Sequence, residues 1–254
     1  MKKKLFIIGL VFLLVAGVAY ARMNAAFIGI AGVVAEGGED YSDILLFWRA
    51  ESVTLTTGDY PTSGTITITG DAAITSDAGI VGTNGLHIPN AYDRAVLTSY
   101  SPGTAVGRIG FWFEPVTSVL DYTYLFTFYI DGDNYFDVNL HNNQRVTGNY
   151  RSGGTNKYLS SPATTLSADT AYFIEVAWDL TTSDTVIIFI STEGAQDSTG
   201  TTTSSVTADP ISGSPSLTFG TKGSGGSYYA DNIIISSDAT RDLYALRNAT
   251  TSPR

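Results

Sequence analysis

The sequence predicts an all-β protein, built as an antiparallel sandwich of two sheets. Threonine is absent before Thr54 and frequent after it, together with many serines and glycines, and β-branched side chains fit a pleated strand better than a helix. Short apolar runs recur between polar turns at the spacing that is typical of sandwiches and barrels. No helical patterns alternate with these runs, which excludes a parallel α/β fold.

The individual strands are predicted from alternation and from turn signals. Residues 64–69 (GTITIT) alternate strictly, with the two isoleucines on one face, which is typical of a half-buried strand. The runs 122–130 and 135–140 flank the turn sequence DGDN and predict a hairpin. Further strands are predicted at residues 44–49, 95–99, 109–114, 172–178, 185–191, 216–219 and 228–235.

Aromatic residues within these strands are predicted to fill the core between two sheets that pack about 10 Å apart. They are Trp48, Phe111, Phe113, Phe126, Phe128, Phe173, Trp178, Phe189 and Phe219.

Two segments outside these strands have their own patterns. Residues 239–248 have a helical pattern, with Asp238 as a candidate cap and Leu243 and Leu246 on one face. The stretch 196–209 is rich in serine and threonine and is predicted to be a surface loop.

The first 21 residues have the features of an export signal, which would form a helix. Three lysines precede an apolar run over residues 5–18, and a small-x-small sequence closes it at residues 19–21. The run is shorter than the roughly 20 residues that span a bilayer. We therefore expect cleavage after Ala21 and a mature protein that is secreted or held at the cell surface. If the signal stays uncleaved, it could act with the apolar stretch 25–35 as a membrane anchor.

One domain is predicted over residues 39–248, between an apolar N-terminal tail (22–38) and a C-terminal tail (249–254). The chain contains no cysteine, which excludes disulfides, thiolate metal sites and cysteine nucleophiles. Its formal net charge is −10, and this acidity argues against binding of nucleic acid through phosphates.

Seven predicted segments, taken in order, resemble the motifs of laminin-G-like domains, which belong to the concanavalin A-like jelly rolls. Residues 108–115 (RIGFWFEP) resemble the strand written sFWvkP in that family, and residues 172–179 (YFIEVAWD) resemble wHhvavtwD, with Tyr172-Phe173 at its histidine pair. The resemblance implies a jelly-roll sandwich over nearly the whole mature chain. The other matching segments are 42–49, 85–88, 185–191, 217–220 and 231–236.

The sequence does not predict an enzyme. Glycosidases among the relatives carry Glu-x-Asp-x-x-Glu on one strand, which sets two carboxylates on one face, and the six glutamates of this chain never have that spacing. Glu175 and Asp179 share a strand face, which we interpret as solvated. His141 lies in a polar run and is interpreted as part of a loop tip. A Gly-x-Ser-x-Gly nucleophile elbow is absent as well.

A structural calcium ion is implied by the resemblance, because the Asp that opens the iDdvrIy strand is a calcium ligand in many related sandwiches. That position is Asp231 here, and Asp40 in the acidic start of the domain is its candidate partner. The cluster at residues 131–134 lacks the spacing of a calcium-binding loop and is interpreted as a hairpin turn.

Carbohydrate recognition is the function that the sequence favours. Glycan sites combine an aromatic platform with amide or carboxylate groups that bond hydroxyls. An acidic protein repels acidic polysaccharides, so the expected partner is a neutral glycan or an extracellular protein. The candidate ligand residues are Asn142, Asn143, Tyr150, Tyr228 and Tyr229, and Tyr158, Asn149 and Asn156 offer similar groups.

A structural role is the alternative that the sequence leaves open. The apolar tail, residues 22–38, could add a strand to the open sheet edge of a neighbouring copy. The protein would then be a subunit of a surface layer or filament.

Overall fold

We describe the protein from a computed structural model. It describes residues 40–56, 58–61, 65–97, 106–117, 122–159, 161–179, 185–192, 195–203, 216–220 and 226–250, with the backbone alone at 185 and 195–203. The predicted signal (1–21) and the apolar tail (22–38) lie outside these residues. Within the described ranges, no helix is both long and apolar enough to cross a bilayer.

The described residues form fifteen strands and two short 3₁₀ helices, Ser76–Ala78 and Tyr244–Leu246. Every strand pairing is antiparallel, so the predicted all-β class is confirmed. The strands are β1 Ile44–Trp48, β2 Thr67–Thr69, β3 Ala73–Thr75, β4 Gly85–Ile88, β5 Arg94–Leu97, β6 Val106–Pro115, β7 Thr123–Asp131, β8 Asn134–Leu140, β9 Val146–Ser152, β10 Thr155–Leu159, β11 Tyr172–Asp179, β12 Thr185–Thr192, β13 Ala195–Thr203, β14 Ser216–Gly220 and β15 Tyr228–Ser236.

The strands form two sheets. Sheet A has the order β13-β12-β11-β6-β15-β4-β3, and β1 also pairs with β15. Sheet B has the order β10-β9-β8-β7-β14-β5-β2. The predicted hairpin is β7 and β8, in which Asp131 pairs with Asn134. Inside its turn, the side chain of Asp131 accepts a hydrogen bond from the Asp133 amide at 2.8 Å, as expected of a hairpin turn.

Aromatic side chains from both sheets meet in the core. Phe111 of β6 contacts Phe126 of β7 and Phe219 of β14 with ring centroids 5.8 and 5.6 Å apart, in the edge-to-face geometry that aromatic rings prefer. Of the nine aromatics predicted for the core between the sheets, seven are buried there. Phe173 is buried instead on the outer face of sheet A, beside Trp112. Phe189 lies half-exposed on β12, with its ring centroid 4.6 Å from the Arg108 guanidinium.

The outer face of sheet A is covered by the C-terminal segment, where the structure contains no α-helix. Leu243 and Leu246 are buried against Trp112 and Phe173, which point outward from β6 and β11. One 3₁₀ turn brings these two leucines onto the sheet, so the predicted helix over 239–248 is wrong. Asp238 accepts hydrogen bonds from Thr240 and forms a local turn instead of a helix cap.

Two further predictions about sheet A are corrected. The stretch 196–209 was predicted as a surface loop, but its residues 196–203 belong to β13 and pair with β12 at the edge of the sheet, consistent with the strand preference of threonine. Residues 204–209 lie outside the described residues. Glu175 is fully buried, with its carboxylate 2.9 Å from the Arg108 guanidinium, so its strand face is not solvated. Burial raises the pKa of Glu175, and Arg108 opposes that shift.

Candidate functional site

An open cavity of about 420 Å³ lies on the outer face of sheet B. Its floor is formed by strands β7 to β10, and the turn between β8 and β9 closes one end. This volume is within the range of small-molecule sites. The lining residues are Tyr122, Tyr124, Asp137, Asn139, His141, Asn143, Thr147, Gly148, Asn149, Tyr158 and Ser161.

Strand alternation explains why polar side chains collect on this face. In β8, Phe136, Val138 and Leu140 are fully buried in the core, so the residues between them, Asp137 and Asn139, point to the opposite side of the sheet. Antiparallel pairing then places side chains from other strands next to them, because directly paired residues share a face. The pairs are Asp137 with Asn149, Asn139 with Thr147, and Asn149 with Tyr158.

The floor of the cavity contains hydrogen-bonding atoms that have no partner in the described part of the protein. Asn139 donates from Nδ2 to Asp137 Oδ1 at 2.9 Å, and Asn149 donates from Nδ2 to the Tyr135 hydroxyl at 3.1 Å. The side-chain Oδ1 atoms of Asn139 and Asn149 have no hydrogen-bond partner among the described residues, and neither does Nδ1 of His141. A buried polar atom that makes no hydrogen bond costs about 1–3 kcal/mol. Three such atoms belong to residues that line this one cavity.

Two exposed tyrosines border the cavity. The Tyr158 side chain is 75% exposed and that of Tyr122 is 47% exposed. The ring of Tyr122 stands edge-on to the His141 ring, with centroids 4.4 Å apart, so the two rings support each other. Tyr124, which pairs with Asn139 across the strands, is half-buried, and burial together with the charge of Asp137 raises its pKa. These tyrosines offer an apolar ring face next to hydrogen-bonding groups.

The charges of the cavity limit its chemistry. Among the described residues that line the cavity, Asp137 is the one carboxylate, and none is a lysine or an arginine. Hydrolysis by the common two-carboxylate mechanism requires a second carboxylate within about 5–10 Å, which these lining residues do not supply. Asp137 also repels a negatively charged ligand. The arrangement therefore fits the binding of a neutral, hydroxyl-rich molecule.

The residues predicted as ligands are brought together only in part. Asn143 lines the cavity, and its Oδ1 accepts a hydrogen bond from the Arg145 amide at 3.1 Å. Asn142 belongs to the same turn but does not line the cavity, and its carbonyl accepts a hydrogen bond from Gln144. Tyr158 and Asn149, which offered similar groups, both line it.

The other three predicted ligand residues lie elsewhere. Tyr150 points into the core beside Phe136 and is 1% exposed, so its ring cannot support a sugar. Tyr228 is also 1% exposed, its hydroxyl donates to backbone carbonyls of β7, and burial raises its pKa. Tyr229 lies half-buried on sheet A, 4.8 Å from the His87 ring. None of the three reaches the cavity.

Several lining residues were not predicted. Asp137 and Asn139 were missed although their strand was predicted, because their alternation with apolar residues was used only to define the core. Thr147 lies in β9, a strand that the sequence analysis did not identify. His141 lies in the turn between β8 and β9, as the sequence predicted, and it also lines the cavity. The sequence signal that could have found this site is the pair Asp137 and Asn139, two polar residues that alternate with apolar residues in one strand.

The predicted calcium site does not fit the residues around Asp231. Its carboxylate is buried and accepts hydrogen bonds from the backbone N–H groups of Ile80, Val81 and Asn232 at 2.6–2.9 Å, whereas calcium requires oxygen ligands. Burial raises the pKa of Asp231 to about 8, which favours the neutral acid at pH 7. Asp40 instead accepts a hydrogen bond from the Ser42 amide. Within the described ranges, no three potential metal-ligating side chains form a group.

The comparisons with known proteins identify a fold and no family. No family model matches the chain, and no curated protein matches it. Among solved structures, the binding domain of botulinum neurotoxin DC in complex with SialylT is 11% identical, with a TM-score of 0.57 over 82% of this chain and 51% of that chain. The same domain in complex with rat synaptotagmin II is also 11% identical, with a TM-score of 0.57 over 80% and 50%.

Carbohydrate-active proteins are also similar in fold. A carbohydrate esterase from the Shiga toxin-encoding bacteriophage phi24B is 16% identical, with a TM-score of 0.50 over 77% of this chain and 98% of that chain. The GH43 protein BlXynB from Bacillus licheniformis is 13% identical, with a TM-score of 0.50 over 80% and 41%. The chain spans about half the length of the first neurotoxin domains that it matches. At these identities the likeness shows a shared β-sandwich and does not transfer a function.

Proposed function

We propose that this protein is a non-catalytic carbohydrate-binding module that holds a neutral glycan in the cavity on sheet B. The observation that carries the proposal is the set of three unpaired polar atoms, on Asn139, His141 and Asn149, beside the exposed rings of Tyr122 and Tyr158. A sugar ring has an apolar face that packs on tyrosine and hydroxyls that pair with amide oxygens. The similar solved structures include domains named as binding domains, which supports a binding role.

A neutral ligand and a non-catalytic role both follow from the charges of the cavity. A uronate carboxylate would approach Asp137 without any lysine or arginine of the lining to neutralise it. The single carboxylate of the lining also leaves a glycosidic bond without the usual second group. Binding without bond cleavage is therefore the activity that these residues support.

We also propose an extracytoplasmic location and a laminin-G-like jelly roll. The location rests on the lysine-rich start and the apolar run of residues 1–21. The family assignment rests on the ordered motifs from residues 42–49 to residues 231–236 and on the two-sheet sandwich. Mass spectrometry of the protein exported from a bacterial host tests the location, and a mature chain that begins at Arg22 is expected. A product that retains Met1 in the cytoplasm would contradict it.

A glycan array followed by titration calorimetry tests the binding function. The purified protein is expected to bind neutral glycans and not uronates. Tyr158→Ala should lower the affinity at least about tenfold, because it removes an exposed stacking surface. Tyr92→Ala is the matched control, since Tyr92 is 69% exposed in a turn outside the cavity, and it should bind as the parent does.

Two results would refute the proposed function. One is the absence of binding to any glycan on the array, and the other is binding that Tyr158→Ala leaves unchanged. Incubation of each bound glycan with the protein, followed by mass analysis of the glycan, tests for catalysis. Shortened or deacetylated glycan would show that the cavity is an active site.

A further inference from the structure

A second cavity lies on the same face of sheet B. It has a volume of about 280 Å³ and is formed by strands β5, β14 and β7. Its lining offers hydroxyl groups, one tyrosine ring and one guanidinium. The lining residues are Arg94, Val96, Thr127, Tyr129, Ser216, Thr218 and Gly220.

One row of paired residues runs through both cavities. Three of its members, Tyr158, Asn149 and Asp137, line the first cavity. The next three, Thr127, Thr218 and Val96, line the second. Each member is the direct cross-strand partner of the next, and direct partners point to the same face of a sheet. The two cavities are therefore consecutive parts of one surface.

The junction of the cavities lies between β8 and β7. Asp137 pairs there with Thr127, and Tyr135 pairs with Tyr129 two residues along the strands. Because side chains two residues apart share a face, both tyrosines stand beside the junction on the cavity side. Each is half-buried, and the Arg151 guanidinium lies 5.9 Å from the centroid of the Tyr135 ring. Aromatic surface is thus present along the path between the cavities as well as at its start.

The row is longer than one sugar unit. It crosses six neighbouring strands, and five spacings of about 4.8 Å give a length of roughly 24 Å. A monosaccharide can fill one cavity but cannot reach the other. Arg94 adds N–H donors at the far end, and no carboxylate of the described residues forms an ion pair with it.

We propose that the ligand is a linear oligosaccharide that lies across the strands of sheet B, with its first units in the first cavity and its distal units on Thr218, Ser216 and Arg94. This inference rests on the proposed function and adds the shape and length of the glycan. The hydroxyls of Thr218 and Ser216 and the guanidinium of Arg94 bond hydroxyls of the distal units.

The test is the dependence of affinity on chain length, measured by calorimetry with cello-, xylo- and manno-oligosaccharides of two to six units. We expect the hexasaccharide of the recognised series to bind roughly tenfold or more tightly than the disaccharide, because the two sites are filled by one molecule. Thr218→Tyr, which fills the second cavity, should reduce hexasaccharide affinity to that of the disaccharide and leave disaccharide affinity unchanged. Arg94→Ala, at an exposed position, should weaken hexasaccharide binding alone.

The outcomes separate this inference from the proposed function. Equal affinity for the disaccharide and the hexasaccharide, with both weakened by Tyr158→Ala, overturns the extended site and leaves the binding function in place. An equal effect of Arg94→Ala on both lengths also overturns the extended site. If no oligosaccharide of any length binds, both proposals fail together.

Discussion

Replacing His141 with phenylalanine is expected to stabilise the protein and to weaken glycan binding. The His141 Nδ1 atom is buried without a hydrogen-bond partner among the described residues, and its ring lies edge-on against Tyr122. The turn around it is held by the backbone, because His141 N–H donates to Arg145 and its carbonyl accepts from Gln144 at 3.0 and 2.8 Å. Phenylalanine keeps the ring and the turn and removes the unpaired nitrogen.

The size of the effect follows from these contacts. An unpaired buried polar atom costs about 1–3 kcal/mol, and the edge-on ring contact, worth about 0.5–1.5 kcal/mol, is retained. The free energy of unfolding should therefore rise by about 1 kcal/mol, at the lower end of that range. In a domain of this size, such a gain raises the melting temperature by about 2–4 °C. The loss of one hydrogen bond to the ligand should lower glycan affinity about tenfold.

The second histidine of the chain provides the matched control. His87 Nε2 lies 3.0 Å from the Ser227 hydroxyl, so His87→Phe breaks an existing hydrogen bond and should not stabilise the protein. It lies outside the cavity and should leave glycan affinity unchanged. Calorimetric melting and glycan titration of both variants give the comparison. A lower melting temperature for His141→Phe together with unchanged affinity would refute the argument that the cavity keeps unpaired atoms for a ligand.

Three further predictions concern stability. Burial raises the pKa of Asp231 to about 8, so between pH 5 and 8 the folded state keeps a proton that the unfolded state releases. The free energy of unfolding should therefore fall by up to about 1.4 kcal/mol for each unit that the pH rises in this window. Urea titrations of Asp231→Asn should lack this pH dependence. Calcium chloride or EDTA should leave the melting temperature unchanged, and a calcium-dependent rise would restore the calcium site. Gly107→Ala should lower the free energy of unfolding, measured by chemical denaturation, by about 1–3 kcal/mol. A Cβ at this position would stand 2.6 Å from the Trp178 side chain and 2.8 Å from the Ser236 carbonyl oxygen. Gly132→Ala is the control, because a Cβ there has no neighbour within 4 Å.

Strand pairing was predictable from the sequence where local signals were strong. The β7–β8 hairpin followed from two apolar runs around a turn, and both strands formed there. The C-terminal prediction failed because Leu243 and Leu246 have a spacing that one 3₁₀ turn satisfies as well as an α-helix does. The packing of both leucines onto Trp112 and Phe173 favours the 3₁₀ turn over the α-helix. This contact joins distant parts of the chain, so the local sequence pattern could not predict it.

The site was less predictable than the fold, because its residues meet only after the sheet has formed. Alternation separates Tyr150, a predicted ligand residue, from Asn149, which only offered a similar group, since Asn149 faces the cavity and Tyr150 the core. Their partners Asp137 and Tyr158 come from other strands, and only the order β10-β9-β8-β7 brings them together. Composition and motif spacing describe one stretch of chain at a time and therefore missed the combination.

The outer faces of the two sheets differ, and this difference supports the proposed binding site on sheet B. On sheet A, the outward side chains Trp112 and Phe173 are covered by the C-terminal segment, and the outward Glu175 is paired with Arg108. On sheet B, the outward row from Tyr158 to Val96 borders two open cavities. Among the described residues, unpaired buried polar atoms occur on sheet A as well, on Thr75, Ser191 and Asn232, but those on Asn139 and Asn149 belong to residues that line the larger cavity of sheet B. The proposed glycan would pair its hydroxyls with these amide oxygens, so its binding at sheet B would stabilise the folded state.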